Sequence, residues 1–284
     1  MGTILLYTML RYQLGTKLGI LPFEQELWNF WIPFYLPFIS FWACLGKRVR
    51  ILKLKSLKNK YISAHQALIL LMVLAMSPPM ILSQKYLDKV PHGLIEIDDF
   101  DEIKNHQKEK FFVINQFDVD KGSIVEGFST REVMGGKYSR ARKYFYVDML
   151  YPFKNVSGVW YGIEYSKNIN GKKDNKELKQ VKETFYRTSK DSFISQNLKE
   201  VKYFEKLNNS YKRSRFLKAI NKNRPLVNID SQIILIPKMR DYKNRTGISL
   251  GWIFGSYVIG CVCVLIIIAI PKLDKRLLTK FNNN

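Results

Sequence analysis

The stretch that decides the fold is Ile248–Pro271, ISLGWIFGSYVIGCVCVLIIIAIP, which contains no charged residue. A helix of that length rises far enough to cross a hydrocarbon layer about 30 Å thick. Two more apolar, aromatic-rich stretches precede it, at Leu27–Leu45 and Ile62–Leu82. The residues between the second and the third are polar and strongly basic. The expected fold class is a membrane protein with about three transmembrane α-helices plus an extracytoplasmic α+β domain. Its expected divisions are an N-terminal or interfacial segment at 1–26, a first transmembrane helix at 27–45 and a basic cytoplasmic loop at 46–61. A second helix at 62–83, the domain at 84–246, a third helix at 247–271 and a basic cytoplasmic tail at 272–284 complete the chain.

Charge placement supplies the orientation. The chain carries a formal net charge of +22. Lys47, Arg48, Arg50, Lys53, Lys55, Lys58 and Lys60 follow the first apolar stretch with no acid among them. Lys272, Lys275, Arg276 and Lys280 follow the third, against Asp274. Short basic loops stay in the cytoplasm, whereas long domains translocate largely regardless of their charge. Both basic segments are inside only if residues 84–246 are outside. Trp28, Trp31, Tyr35 and Trp252 suit the aromatic belts at the two interfaces.

All three cysteines, Cys44, Cys261 and Cys263, fall in the apolar stretches, so the central domain cannot contain a disulfide. A Cys-free outer domain is ordinary for a bacterial periplasm. The first residues lack the basic start and the small-residue cleavage site of a signal peptide.

Pro33 and Pro37 predict a kink in the first apolar helix, and Pro78-Pro79 predict the end of the second. His65 sits too close to the basic loop for a proton relay. In the third helix Gly251, Gly255, Ser256 and Gly260 are four apart or adjacent, the spacing that lets another helix approach closely. In the central block, aromatic and β-branched residues at period two predict strands over Lys110–Phe117, Lys143–Tyr151 and Val159–Tyr165, with a last one at Ile233–Ile236. Gly135-Gly136 and Asn170-Gly171 read as turns. Helical spacing predicts a helix from Asp174 to Asn197, with Leu178, Val181, Phe185 and Phe193 inward, and another over Tyr211–Asn221. Together these give a sheet covered by helices on one face.

No catalytic set emerges. His65, His92 and His106 have no serine motif beside them, no zinc-ligand cluster exists, and no phosphate-binding glycine loop is present. The acidic run Asp98, Asp99, Asp101 and Glu102 lacks the spaced glycine-containing pattern of a calcium loop and reads as a solvated turn or helix start. No cofactor or metal is expected. The densest positive feature is Lys212, Arg213, Arg215, Lys218, Lys222 and Arg224, near Tyr203, Phe204 and Tyr211. On an outer domain such a patch would meet anionic lipid headgroups or an acidic partner, and no nucleic acid is expected.

Several blocks resemble a family of Bacteroidota inner-membrane proteins, some of which continue into a rhomboid protease core. They are Trp160-Tyr161-Gly162-Ile163-Glu164-Tyr165-Ser166-Lys167, the Lys/Glu-rich helix ending at Asp191-Ser192-Phe193, Tyr203-Phe204-Glu205-Lys206-Leu207-Asn208-Asn209-Ser210, and Phe216-Leu217-Lys218-Ala219-Ile220. A rhomboid core needs a Gly-x-Ser-Gly turn and a histidine on another span. Here Ser256 stands in Gly255-Ser256-Tyr257-Val258, so no catalytic residue carries over. The resemblance implies an accessory or regulatory module. The expected function is a non-enzymatic inner-membrane protein whose outer domain binds a ligand or another membrane or periplasmic protein. The alternative is a subunit of a membrane enzyme or transporter complex, including a rhomboid-associated module.

Overall fold

Continuous apolar sequence becomes helix at both ends of the chain, and the alternating middle becomes a sheet. The computed structural model describes residues 7, 9, 11, 13, 26–49, 51–54, 63–106, 108–133, 142–154, 156–169, 175–247 and 250–273. They form two units. Residues 92–245 make one, and the described residues up to 91 and from 246 onward make the other.

In the helical unit, a π-helical turn at Leu27–Trp31 runs directly into an α-helix at Ile32–Val49, together α1. The wide turn has a local cause. The Ile32 N–H reaches back to the Leu27 carbonyl, but Pro33 has no N–H to continue the series. The Trp28 carbonyl instead accepts the Tyr7 hydroxyl at 2.8 Å. Helix α2, Ala64–Leu87, opens on a capping box in which Ser63 and Gln66 bond each other's backbone N–H. Contrary to the sequence expectation, Pro78-Pro79 do not end it. Ser77 Oγ bonds the Val73 carbonyl at 2.7 Å and reaches Phe34 O on α1 at 3.3 Å, while Ser83 Oγ holds Pro79 O at 2.7 Å. The helix carries both prolines in its interior and runs on to Leu87.

Helix α2 lies between α1 and the later helix α6, Leu250–Ala269. Strand β1, Leu52–Lys53, pairs antiparallel with β9, Lys272–Leu273, and His65 Nε2 stands 3.3 Å from Leu52 O. The last turns of α1 and α6 and the first turn of α2 therefore share one end of the bundle. Val49, Leu52, Leu68, Ile69, Met72 and Val73 form its buried centre, with Val264, Ile267 and Ile268 against them. Trp42, Leu71, Trp252, Ile259 and Leu265 face outward. Two of the helices, Ala64–Leu87 and Leu250–Ala269, are long and apolar enough to cross a membrane. The N-terminal segment contributes Arg11, whose guanidinium binds Gln84 and, at 2.9 Å, Asp88. Half of the basic loop (Arg50 and residues 55–61) and the tail beyond residue 273 lie outside the described residues.

The other unit is α+β. Its strands are β2 Leu94–Ile97, β3 Phe111–Ile114, β4 Val125–Val133, β5 Arg142–Pro152, β6 Val159–Ile169, β7 Tyr203–Lys206 and β8 Ile233–Lys238. They form one mixed sheet in the order β2-β3-β7-β8-β6-β5-β4, with β2/β3 and β6/β8 parallel and the other pairs antiparallel. A short helix, α3 Glu102–Asn105, follows β2, and α4 Asn175–Ile194 and α5 Tyr211–Asn223 are the longer ones.

Helices cover both faces of the sheet, not one as the sequence reading expected. The reason is visible in β5, whose two faces are both apolar. Val147, Met149 and Tyr151 pack with Phe193 of α4, with the Tyr151 and Phe193 rings stacked at 4.3 Å. On the other face Leu150 packs with Val125, Trp160, Phe216, Ala219 and Ile220, the last three from α5. Glycine makes that second layer possible. A Cβ on Gly127 would lie 2.7 Å from the Ala219 Cβ, and one on Gly162 would lie 3.1 Å from Ile234. On α4, Phe185 and Phe193 join the core as expected, whereas Leu178 and Val181 stay half-exposed. The expected turns at Gly135-Gly136 and Asn170-Gly171 lie outside the described residues.

Candidate functional site

A cleft of about 840 Å³ opens at one end of this sheet, where β6 and β8 begin and β5 and β7 end. The parallel pairing of Val159 with Ile233 brings the segments before both strands side by side. Gly158 makes the turn into β6 with φ of 82°, which a residue with a side chain rarely adopts. Its carbonyl accepts the Ile233 N–H at 2.8 Å. That fixes Trp160 and Gln232 as neighbours on the cleft wall.

A chain of hydrogen bonds then locks the wall. Trp160 Nε1 donates to Gln232 Oε1 at 2.7 Å, and Gln232 Nε2 donates to Asn228 O at 2.6 Å. Arg213 Nη2 donates to Gln232 O at 3.0 Å, and the Arg224 guanidinium lies over the Trp160 ring at 5.2 Å. Two arginines, one from the first turn of α5 and one just after its last, thus converge on a single Trp–Gln pair. Lys206 enters at the end of β7, where Nζ donates to the His106 carbonyl at 2.9 Å. Burial pushes its ammonium down to about 8, with Glu109 pulling the other way. Lys104 also lines the cleft but is ion-paired with Asp101 at 2.7 Å, and among the described residues Asp230 is the single carboxylate of the lining.

The six cations expected to form one patch are divided three ways. Arg213 and Arg224 line the cleft. Arg215 is buried under α5. Its Nε and Nη2 bind Asp148 at 3.2 and 3.1 Å, Nη2 also binds Glu164, and the guanidinium sits 4.0 Å above the Tyr146 ring. Lys212 stands 3.9 Å from Glu164, and burial first, then Lys238, push its ammonium down to about 8. Lys218 and Lys222 face solvent. Tyr203 and Phe204 are buried strand residues, so they offer no stacking surface, while Tyr211 is exposed.

In the helical unit, the expected packing face is also divided. A Cβ on Gly260 would meet the Ala75 carbonyl at 2.7 Å, the oxygen that Pro79 leaves without its helical N–H. Gly255 has nothing within 4 Å, Gly251 is exposed, and Ser256 Oγ donates to Ile253 O within its own helix. One residue of the four makes the close approach. In the acidic run, Asp99 Oδ1 accepts the Asp101 N–H at 3.1 Å and Asp101 precedes α3, which is a turn leading into a helix. Among the described residues, no group of three His, Cys, Asp or Glu side chains could hold a metal ion.

Gln232, Gly158 and Lys206 were not legible as site residues. None of the three carries a sequence signal that marks it as a site residue. Their juxtaposition depends on the β6/β8 crossover, which joins positions far apart in the chain. No protein-family model, curated protein or solved structure matches this chain.

Proposed function

We propose that this is a multi-pass protein of a bacterial inner membrane whose domain at residues 92–245 is an extracytoplasmic binding module, accessory to another protein or to a small ligand. The observation that carries the binding role is the cleft. Here fixed polar and cationic groups surround open volume. A preformed concavity with a few convergent polar groups is the ordinary form of a binding site.

The membrane assignment rests on apolar helices with outward-facing Trp, Phe, Ile and Leu side chains, which water would penalise and lipid accepts. Its three-span orientation is supported by the β1/β9 ladder. That ladder gathers Lys47, Arg48, Lys53 and Lys272 toward one end of the bundle, the arrangement expected of a cytoplasmic side. Membership among the Bacteroidota proteins belongs to the same proposal. Two of the blocks that carry that resemblance contribute Trp160, Lys206, Leu207, Asn208 and Asn209 to the cleft lining.

A photo-crosslinking residue at Ser231, on the cleft lining, tests the binding role in intact cells. A discrete, reproducible adduct is expected, absent when the same residue replaces exposed Lys222. Equal and diffuse labelling at both positions would remove the binding module from consideration.

A further inference from the structure

We propose that the cleft takes a small-molecule oxyanion, a ligand carrying phosphate or carboxylate groups; this rests on reading the domain as a binding module and names what it binds. The cations of the lining outnumber its acids. With Lys104 paired to Asp101 and Lys206 bonded to the His106 carbonyl, Arg213 and Arg224 remain against Asp230. The excess is positive and is held at the mouth of a partly enclosed volume, where low-dielectric walls strengthen attraction for an anion.

The cations are also pre-positioned. Arg213 is pinned by the Gln232 carbonyl and, at 3.5 Å, by that of Asp230. Arg224 rests on Trp160, and Trp160 is itself tied to Gln232. Among the described residues, no carboxylate or carbonyl accepts a hydrogen bond from the Arg224 guanidinium. Its planar fork of donors is therefore available, and that geometry matches phosphate and carboxylate oxygens two at a time. Backbone carbonyls satisfy part of Arg213 without neutralising it, so its charge persists in the cleft.

Size decides against a macromolecule as the main occupant. About 840 Å³ lies within the range of small-molecule sites. Arg213 and Arg224 are separated by about 16 Å of helix rise, yet both side chains lean to the same Trp–Gln pair. A compact ligand with more than one negative group can therefore contact both.

The test is calorimetric titration of the full chain in non-ionic detergent with inorganic tripolyphosphate, citrate and glycerophosphoglycerol, the last being a lipid headgroup without its acyl chains. Saturable one-to-one binding of at least one is expected. Arg224→Gln should weaken it about tenfold, the loss of one charge-assisted contact, and Arg224→Lys, which keeps the charge but not the fork, should restore only part of it. Lys222→Gln removes the same charge from an exposed site on α5 and should leave affinity unchanged. Tightest binding of glycerophosphoglycerol assigns the site to lipid headgroups, and tightest binding of either other anion assigns it to soluble ligands. No binding by any of the three, or equal weakening by Arg224→Gln and Lys222→Gln, overturns the proposal. A protein adduct at Ser231 combined with no anion binding would sink this inference alone and leave the binding module standing.

Discussion

Helices α5 and α6 use opposite sides of the same physical rule. Helix α5 buries Phe216, Ala219 and Ile220 on the sheet and turns Lys218 and Lys222 to solvent. Helix α6 buries only Gly260 and turns Trp252, Phe254, Ile259 and Leu265 outward. In the first case, removing apolar area from water holds the helix in place. In the second, the outward apolar area suits the proposed lipid surrounding, in which helix association comes from close packing. On the membrane reading proposed above, the two units are built for different solvents, so equal substitutions in them should have unequal consequences.

The largest such effect belongs to the domain core. Arg215→Leu strands Asp148, whose carboxyl burial pushes upward and Arg215 pulls back. Loss of one partner of a buried pair costs about 3–5 kcal/mol. Chemical unfolding of the detergent-solubilised chain, followed by near-ultraviolet dichroism, should show that loss. The double replacement Asp148→Leu with Arg215→Leu should recover much of it, because no uncompensated carboxylate then remains at position 148.

A direct contrast uses two outward isoleucines, Ile194 at 49% exposure on α4 and Ile259 at 62% on α6. Ile194→Lys should change stability by no more than about 0.5 kcal/mol, as a surface change in water. Ile259→Lys should cost about 2.5–3.5 kcal/mol of membrane insertion, read from the inserted fraction of a reporter fusion. Equal, small effects at both positions would erase the distinction between the units.

Within α6, packing should depend on one face. Gly260→Leu forces a side chain into the Ala75 carbonyl and is expected to cost about 1–3 kcal/mol in denaturing-detergent titrations. Gly255→Leu, with nothing within 4 Å, should be nearly silent.

The last effect is a pH slope. Burial pushes the Lys206 ammonium in the folded domain down to about 8, from an ordinary lysine value of 10.5. Between those values the unfolded chain binds more protons, so stability rises with pH across that window, by at most about 1.4 kcal/mol per pH unit. Lys206→Met should flatten this part of the profile in melts at pH 8 to 10.

How much of this could be read in the sequence follows the range of the interactions. Strands β5 and β6 and helices α4 and α5 were legible because their apolar periodicity is local. Strand β4 was not, since Val125-Glu126-Gly127-Phe128-Ser129 mixes charge and glycine on a sheet edge. Strand β7 was hidden because Tyr203 and Phe204 lie in a lysine-rich run, and only β3 and β8 on either side make them core. The acidic run was read correctly as a turn into a helix, but β2 just before it was not seen. The cationic character of α5 was legible, and its three-way division was not. Arg215 turns inward only because Asp148 and Glu164 pair in register on adjacent strands, a fact of topology.

Sidedness is what the whole reading depends on, and cysteine accessibility measures it. With Cys44, Cys261 and Cys263 replaced by serine, single cysteines at fully exposed Leu226 and at Asn283 are treated with a membrane-impermeant maleimide in cells with a permeabilised outer membrane. Leu226→Cys should label in these cells, and Asn283→Cys should label only after the inner membrane is opened. Labelling of Asn283→Cys first, with Leu226→Cys protected until lysis, would place the domain inside and remove the extracytoplasmic binding module with it.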